Sequence, residues 1–421
     1  MKSFNIFLFI LLLFTIIVGQ EINMIESPDE MEEDTTVISQ YSLKVYYDSW
    51  YFCDYIKEEI DFLNFVRDRK QADIQIIITT FPTGSDGIEY SIQYVGQGKY
   101  EDICYKIKYY SLNTDSYDER RQGFLDTFKM GLMPFLAETP MAEYIQIDYT
   151  QESVSEHIVD PWNYWVFIVS LNGNFSGNST YRNYGISSSI RAQRITEMHK
   201  LIFYLGLNYD EQLYDYADIT TISISRGQSF SVYYAYSMAE HWSIGGKTGA
   251  FSNTYNNVKL GIYLSPAIEF NVFPYEEYNT KSLTCYYSFN AKHNDYYEET
   301  IYFKNSEYLF ENRLTLNFRT TQQWGNMYMY LSGSHYLHDI LMNRLSIGVG
   351  FSLNLIEGLS LNGHGNYSFI HNQISLPRSG ATEEEVYLRI RELKTTYRFN
   401  SYFGISYTFG SIYTNIVNPR L

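Results

Sequence analysis

Two-residue apolar alternation in segment after segment, an aromatic-rich composition and an apolar leader together predict an all-β transmembrane antiparallel β-barrel of about twelve strands, preceded by a small α+β domain. Each alternating segment is close to the roughly nine to eleven residues that a tilted strand needs to cross a bilayer. The chain holds 43 Tyr and 27 Phe among 421 residues, with only 9 Pro. Charged residues make up 19%, below the usual quarter or so of a soluble protein. Aromatic and β-branched side chains suit a pleated surface, so this balance favours strands.

The leader, MKSFNIFLFILLLFTIIVGQ (1–20), has Lys2, an unbroken apolar run and then Val18-Gly19-Gln20. That is the layout of a secretory signal peptide cleaved near Gly19 or Gln20. The apolar run is short for a spanning helix, and no Cys follows it to carry lipid. Residues 21–40, EINMIESPDEMEEDTTVISQ, are acidic and aperiodic and read as a solvated linker. The formal net charge of -17, with no basic run, excludes a nucleic-acid partner, which needs clustered Lys and Arg. In an exported chain Cys53 and Cys104 could form a disulfide, leaving Cys285 over.

Residues 41–152 read as the α+β domain, expected in the periplasm. LKVYYDS (43–49) alternates as a strand, and CDYIKEEIDFLNFVRDR (53–69) places Ile56, Ile60, Leu63 and Val66 near one helical face. ADIQIIITTF (72–81) is a strand that turns through residues 83–87 into EYSIQYVGQGK, and DICYKIKYYSL follows. Asn113, Thr114 and Asp115 offer caps for a helix over 118–137, and EYIQIDYTQ (143–151) reads as a closing strand.

From 160 to 412 the helical period gives way to alternation. WVFIVSLNGNF puts Trp165, Phe167, Val169, Leu171 and Phe175 on one parity, with Ser170, Asn172 and Asn174 on the other. The rhythm returns in LIFYLGLNY, SFSVYYAYSM, VKLGIYLSPAIEFNV, LTCYYSFNA, FENRLTLNF, RLSIGVGFSLNL, LSLNGHGNYSF and YFGISYTFG. A soluble β-sandwich also alternates, but its strands are usually about five or six residues and its polar face is richer in charge. Here Arg191, Lys247, Lys259, Glu269, Arg313, Arg319 and His364 fall on the Ser/Gly/Asn parity and are the candidate lumen residues. Cys285 shares the apolar parity of Leu283, Tyr287 and Phe289. Short connections at RITEMH, MAEHW, Gly325-Asn326 and Glu357-Gly358 alternate with long ones at 293–308 and 372–396, which puts the short turns and the first domain at the same, inward end.

In YFGISYTF the positions Tyr402, Gly404, Tyr407 and Phe409 resemble the carboxy-terminal β-signal of bacterial outer-membrane proteins, although the chain runs on through GSIYTNIVNPRL. That resemblance implies recognition of the last strand by the barrel-assembly machinery. The whole layout, with VRDRKQADIQIIIT and GQG in the first domain and DPWNYWVF opening the barrel, resembles a group of Bacteroidota-type outer-membrane proteins. The first domain's strand order resembles the amino-terminal domain of the translocation protein of the Tol system, which implies a protein-docking role by analogy.

No phosphate loop, nucleophile elbow or HExxH is present. In HYLHD (335–339) the two His stand three apart and face opposite sides of a strand, which argues against a metal site. His364, flanked on its parity by Ser360, Asn362 and Asn366, is read as a hydrogen-bonded lumen residue before a hydrolytic one. Asp48, Asp54, Glu58 and Glu59 read as a solvated helix start, and Trp162, Trp165, Trp242 and Trp324 as interfacial girdle residues. The expected function is non-catalytic: a narrow channel or envelope binding component in the outer membrane, contacting lipid and a periplasmic protein, with no cofactor or metal. The alternatives are an outer-membrane hydrolase with its site in the lumen or outward loops, and a secretion or assembly accessory.

Overall fold

The computed structural model describes residues 43–146, 160–216, 219–356, 358–380 and 391–410. The apolar leader, the acidic segment 21–40, residues 147–152 and the positions past 410 lie outside them.

The α+β domain comprises β1 (Lys44–Asp48), α1 (Cys53–Glu59), β2 (Asn64–Phe65), β3 (Ile74–Pro82), β4 (Ile88–Gly96), β5 (Cys104–Ser111) and α2 (Tyr117–Leu136). Its sheet runs β2-β1-β3-β4-β5, with β1 parallel to β2 and β3 and the remaining pairs antiparallel. The helix expected over 53–69 stops at Glu59. The open edge of β1 wins the next residues: the Asn64 N–H donates to the Leu43 carbonyl and the Val66 N–H to the Val45 carbonyl, both at 2.9 Å. Ile60 and Leu63 are still fully buried, so a turn followed by a strand reproduces the apolar spacing of a helix. The segment expected as a strand from 143 begins inside a 3-10 turn, Pro140–Tyr144, which a proline opens. Cys53 and Cys104 are free thiols. One starts α1, beyond β1, and the other starts the far edge strand β5.

α2 is capped one residue later than expected. Ser116 Oγ accepts from the Glu119 N–H at 3.2 Å and the Glu119 carboxylate accepts from the Ser116 N–H at 2.7 Å, a reciprocal capping box. Asp115 instead accepts from the Leu112 N–H at 2.7 Å and shapes the turn before the cap. Phe124, Phe128, Leu132 and Phe135 recur at helical spacing and are buried against the sheet. Tyr94 of β4 reaches beneath the helix, its hydroxyl donating to the Phe128 carbonyl at 2.9 Å. Gly131 makes that approach possible, because a Cβ there would stand 2.1 Å from the Tyr94 ring.

The second sheet has twelve strands, each antiparallel to the next in sequence. They are β6 (Trp165–Gly177), β7 (Tyr181–Ile195), β8 (His199–Tyr216), β9 (Ile219–Ala239), β10 (Trp242–Asn253), β11 (Val258–Asn271), β12 (Lys281–Tyr296), β13 (Ser306–Gln322), β14 (Gly325–Tyr336), β15 (Asn343–Ile356), β16 (Leu359–Ile370) and β17 (Tyr397–Tyr407). Register keeps like with like: Ser288, Arg313, Ser334 and Arg344 form one cross-strand row, while Tyr287, Leu314, Gly333 and Leu345 form the next. The first row belongs to the face that encloses cavities. The other face is apolar and open, with Val169 at 74% and Leu171 at 76% exposure, whereas Ser288 on the inner face is at 3%. Among the described residues β6 pairs with β7 and β17 with β16, and no ladder joins these first and last strands, which leaves a seam in the curled sheet. Side chains on both faces of β17 are exposed. Among the described residues, no helix is long and apolar enough to cross a membrane.

The Gly131 contact yields a test. Gly131→Ala is expected to destabilise the α+β domain by about 1–3 kcal/mol through overpacking against Tyr94. Met130→Ala, on the exposed side of the same turn, should stay within about 0.5 kcal/mol, and hydrogen exchange along α2 in the full chain distinguishes the two.

Candidate functional site

Two places concentrate polar contacts: the seat where the α+β domain meets the barrel, and the lumen. At the seat the domain bonds to the ends of strands and to the short turns. Gln75, fully buried, donates from Nε2 to the Gln323 carbonyl at 2.9 Å, and Arg69 donates to the same carbonyl at 2.7 Å. Asn354 Nδ2 donates to the Tyr46 hydroxyl at 3.1 Å, and the Gly358 N–H donates to Asp68 at 3.2 Å. Gln193 Nε2 donates to the Gly84 carbonyl at 3.2 Å, Asn279 Nδ2 donates to Glu89 at 3.0 Å, and Arg67 reaches the Gly410 carbonyl at 3.4 Å. Phe81 meets Tyr278 edge to face, with centroids 5.3 Å apart. The domain thus sits at the end with the short turns and covers that mouth.

The candidate lumen residues scatter over three levels. Arg191 lies 3.6 Å from Asp86 on the β3–β4 turn, at the covered end. Glu269 accepts from the Tyr275 hydroxyl at 3.2 Å and lines a cavity of about 520 Å3 with Lys200, Tyr233 and Tyr286, closed on the domain side by Phe81, Glu89 and Lys108. Arg319 borders a smaller space of about 280 Å3 against residues 78–81 of β3. Lys247 and Arg313 line a cavity of about 610 Å3 in the other half of the lumen. Lys259 is not with them: a register irregularity between Val258 and Leu260 turns Val258 inward and leaves Lys259 exposed.

His364 shares a 3.1 Å hydrogen bond with the Asn400 side chain and stacks on Tyr402, so its partner is an amide and not a carboxylate. Tyr402 and Gly404 stand opposite His364 and Asn362 on the inner face, while Tyr407 stacks on Phe409 just beyond the strand end. Cys285 lies opposite Phe270 and Leu316. Of the acidic residues near α1, Asp54, Glu58 and Glu59 are exposed, whereas Asp48 is half-buried on β1. No group of three or more His, Cys, Asp or Glu among the described residues could hold a metal ion.

Sequence reasoning missed Lys292, Arg344 and Arg398, which line the 610 Å3 cavity beside Lys247 and Arg313. Each stands at or beyond the end of an alternating run, where parity is hardest to follow. Lys292 and Arg313 both bond Glu311, at 2.7 and 3.0 Å, and that carboxylate is only 1% exposed. The far end of this cavity is covered by the connection from β16 to β17. Ile374 is buried on Leu309 and Tyr336, Asn257 donates to the Ser375 carbonyl at 3.0 Å, and the Ile301 N–H donates to the Leu376 carbonyl at 2.8 Å.

No protein-family description and no curated protein matches the chain. Among solved structures, the chain is similar to the NanC porin, with 6% identity, a TM-score of 0.27, and coverage of 57% of this chain and 100% of that one. It is also similar to the translocator domain of the autotransporter NalP from Neisseria meningitidis, with 13% identity, a TM-score of 0.22, and coverage of 58% and 87%.

Asp48 makes the seat sensitive to pH. Burial raises its carboxyl to about 6, and the Gln75 amide, Arg69 and the Tyr46 hydroxyl only partly oppose this. A carboxyl whose folded value lies above its unfolded one stabilises the fold when protonated, so the contribution is present below about pH 4 and is lost as pH rises through about 6. Thermal unfolding of the full chain in detergent should show stability falling over that window, by no more than about 1.4 kcal/mol per pH unit from this group. Asp48→Asn is expected to abolish the Asp48 part of the slope.

Proposed function

We propose that this chain is an outer-membrane β-barrel acting as a narrow channel, with its α+β domain in the periplasm as the cover of the inner mouth. The observation that carries the reading is the seat: a folded domain bonded to strand ends and short turns around one mouth of a curled sheet. The outward apolar face supports a lipid surround, because soluble proteins rarely expose contiguous apolar surface on this scale. Trp165, Trp242 and Trp324, at or beside the strand ends of the covered mouth, suit an interfacial girdle. The leader at 1–20 supports export, and Tyr402, Gly404, Tyr407 and Phe409 would mark the last strand for the barrel-assembly machinery.

A second reading adds a periplasmic protein partner. It is favoured by Trp50, which is 79% exposed and stacks on Tyr51 at 4.1 Å. Photocrosslinking from a probe at the neighbouring position 49 would identify that partner, and Trp50→Ala in the same protein should abolish the crosslink.

Single-channel recording in planar bilayers tests the channel reading. The full chain should conduct weakly or rarely, and a seat variant carrying Arg69→Glu and Gln75→Glu should open more often, because both changes place a carboxylate against the Gln323 carbonyl. Silence from both proteins in correctly inserted form would sink the transport role.

A further inference from the structure

The cavity in the half of the lumen away from the domain differs from its surroundings in charge. Its lining includes Lys247, Lys292, Arg313, Arg344 and Arg398, while the carboxylate on its wall is Glu392. Glu392 is engaged by the Gln373 amide, which donates to it at 2.8 Å. Glu311 neutralises Lys292 and Arg313 from behind the wall. Lys247, Arg344 and Arg398 have no carboxylate within 4 Å among the described residues. The positive field of this space stands out in a chain whose net charge is -17. Asn290, Asn294, Asn372, Ser229, Ser231 and Ser265 supply the remaining polar wall.

From this arrangement we infer that the cavity is a binding site for a small hydrophilic oxyanion, an organic phosphate or carboxylate. Two guanidinium groups and an ammonium group without counter-charges present donors whose ordinary partner is an oxyanion, and arginine forks match its geometry. The carboxamide and hydroxyl wall would hold the hydroxyl-bearing remainder of such a solute by hydrogen bonds. The volume of about 610 Å3 accommodates an organic anion and not merely a halide. Rings of Lys and Arg are also how pores favour anions. The inference deepens the channel reading by assigning a solute class, but the site itself is defined by equilibrium binding and stands without conduction.

The test uses the purified full chain in detergent at about 10 mM salt, where the screening length is about 30 Å. Inorganic phosphate, glucose 6-phosphate and neutral glucose are titrated by calorimetry. Binding of glucose 6-phosphate with none of glucose supports the site, and binding of inorganic phosphate with equal affinity would assign recognition to the oxyanion alone. The variant Lys247→Gln with Arg344→Gln should weaken binding by about tenfold or more, while Lys281→Gln, an ion-pair partner of Glu277 outside this cavity, should leave it unchanged. Arg344→Lys keeps the charge and guards against misfolding, and it should bind within a few-fold of the parent. Absence of binding for every oxyanion, or equal binding by the doubly neutralised variant, overturns the proposal. Anion binding without conductance would overturn the channel reading alone, and conductance without anion binding would overturn this site alone.

Discussion

An antiparallel ladder leaves each residue only two directions in which to point, and everything else in this molecule follows from that restriction. Every strand from β7 to β16 is hydrogen-bonded to a neighbour on both sides, which leaves few of its amides free for another fold. Parity then becomes architecture. A leucine displaced by one position would land in the lumen and an arginine in the apolar face, so register is defended along the whole length of the strands. The irregularity between Val258 and Leu260 shows the rule at its limit: past one bulge Lys259 and Val258 exchange sides while the residues from Leu260 onward keep theirs.

The two ends of the lumen are closed by different means. At the short-turn end a separately cored domain supplies the cover. Its own stability comes from aromatic packing beneath α2, where Tyr94, Phe124, Phe128 and Phe135 share one interior. At the other end the cover is the β16–β17 connection, held by backbone bonds and a three-residue apolar contact. The first closure rests on turns and strand ends, and apart from Phe81 on Tyr278 its described contacts are polar, a type of contact that water can replace at modest cost. The second is chain laid across a mouth.

Much of the barrel was legible in the alternation, because period two follows directly from strand geometry. The strands with the weakest alternation are β7, β10 and β14, and the reasons are visible in their residues. β7 reads YRNYGISSSIRAQRI, with serines on both parities; β10 reads WSIGGKTGAFSN, where glycines blank the pattern; β14 carries Met and Tyr on opposite faces over 327–330, so neither parity there reads as polar. The helix over-extended to residue 69 failed for a different reason, competition from the edge of β1, which is a long-range effect that no local window contains. The seat was not legible at all. Gln75, Arg69 and Gln323 are hundreds of positions apart in part, and nothing local marks a glutamine for burial against a distant turn. The cationic cavity was half legible: Arg313 sits inside a regular run and Lys247 keeps the polar parity despite the glycines around it, while Lys292, Arg344 and Arg398 sit where runs end.

The seam between β6 and β17 changes what the α+β domain means mechanically. The domain is bonded on one side of the gap to Arg191 and Gln193, on the strand next to β6, and on the other side to Gly410, just past β17. One folded body thus holds contacts on both sides of the seam. Those contacts come from the β3–β4 turn and from Arg67, so the distance between them is a property of the domain's own fold. A substitution that shifts that turn against Arg67 would act on the first and last strands of the barrel together.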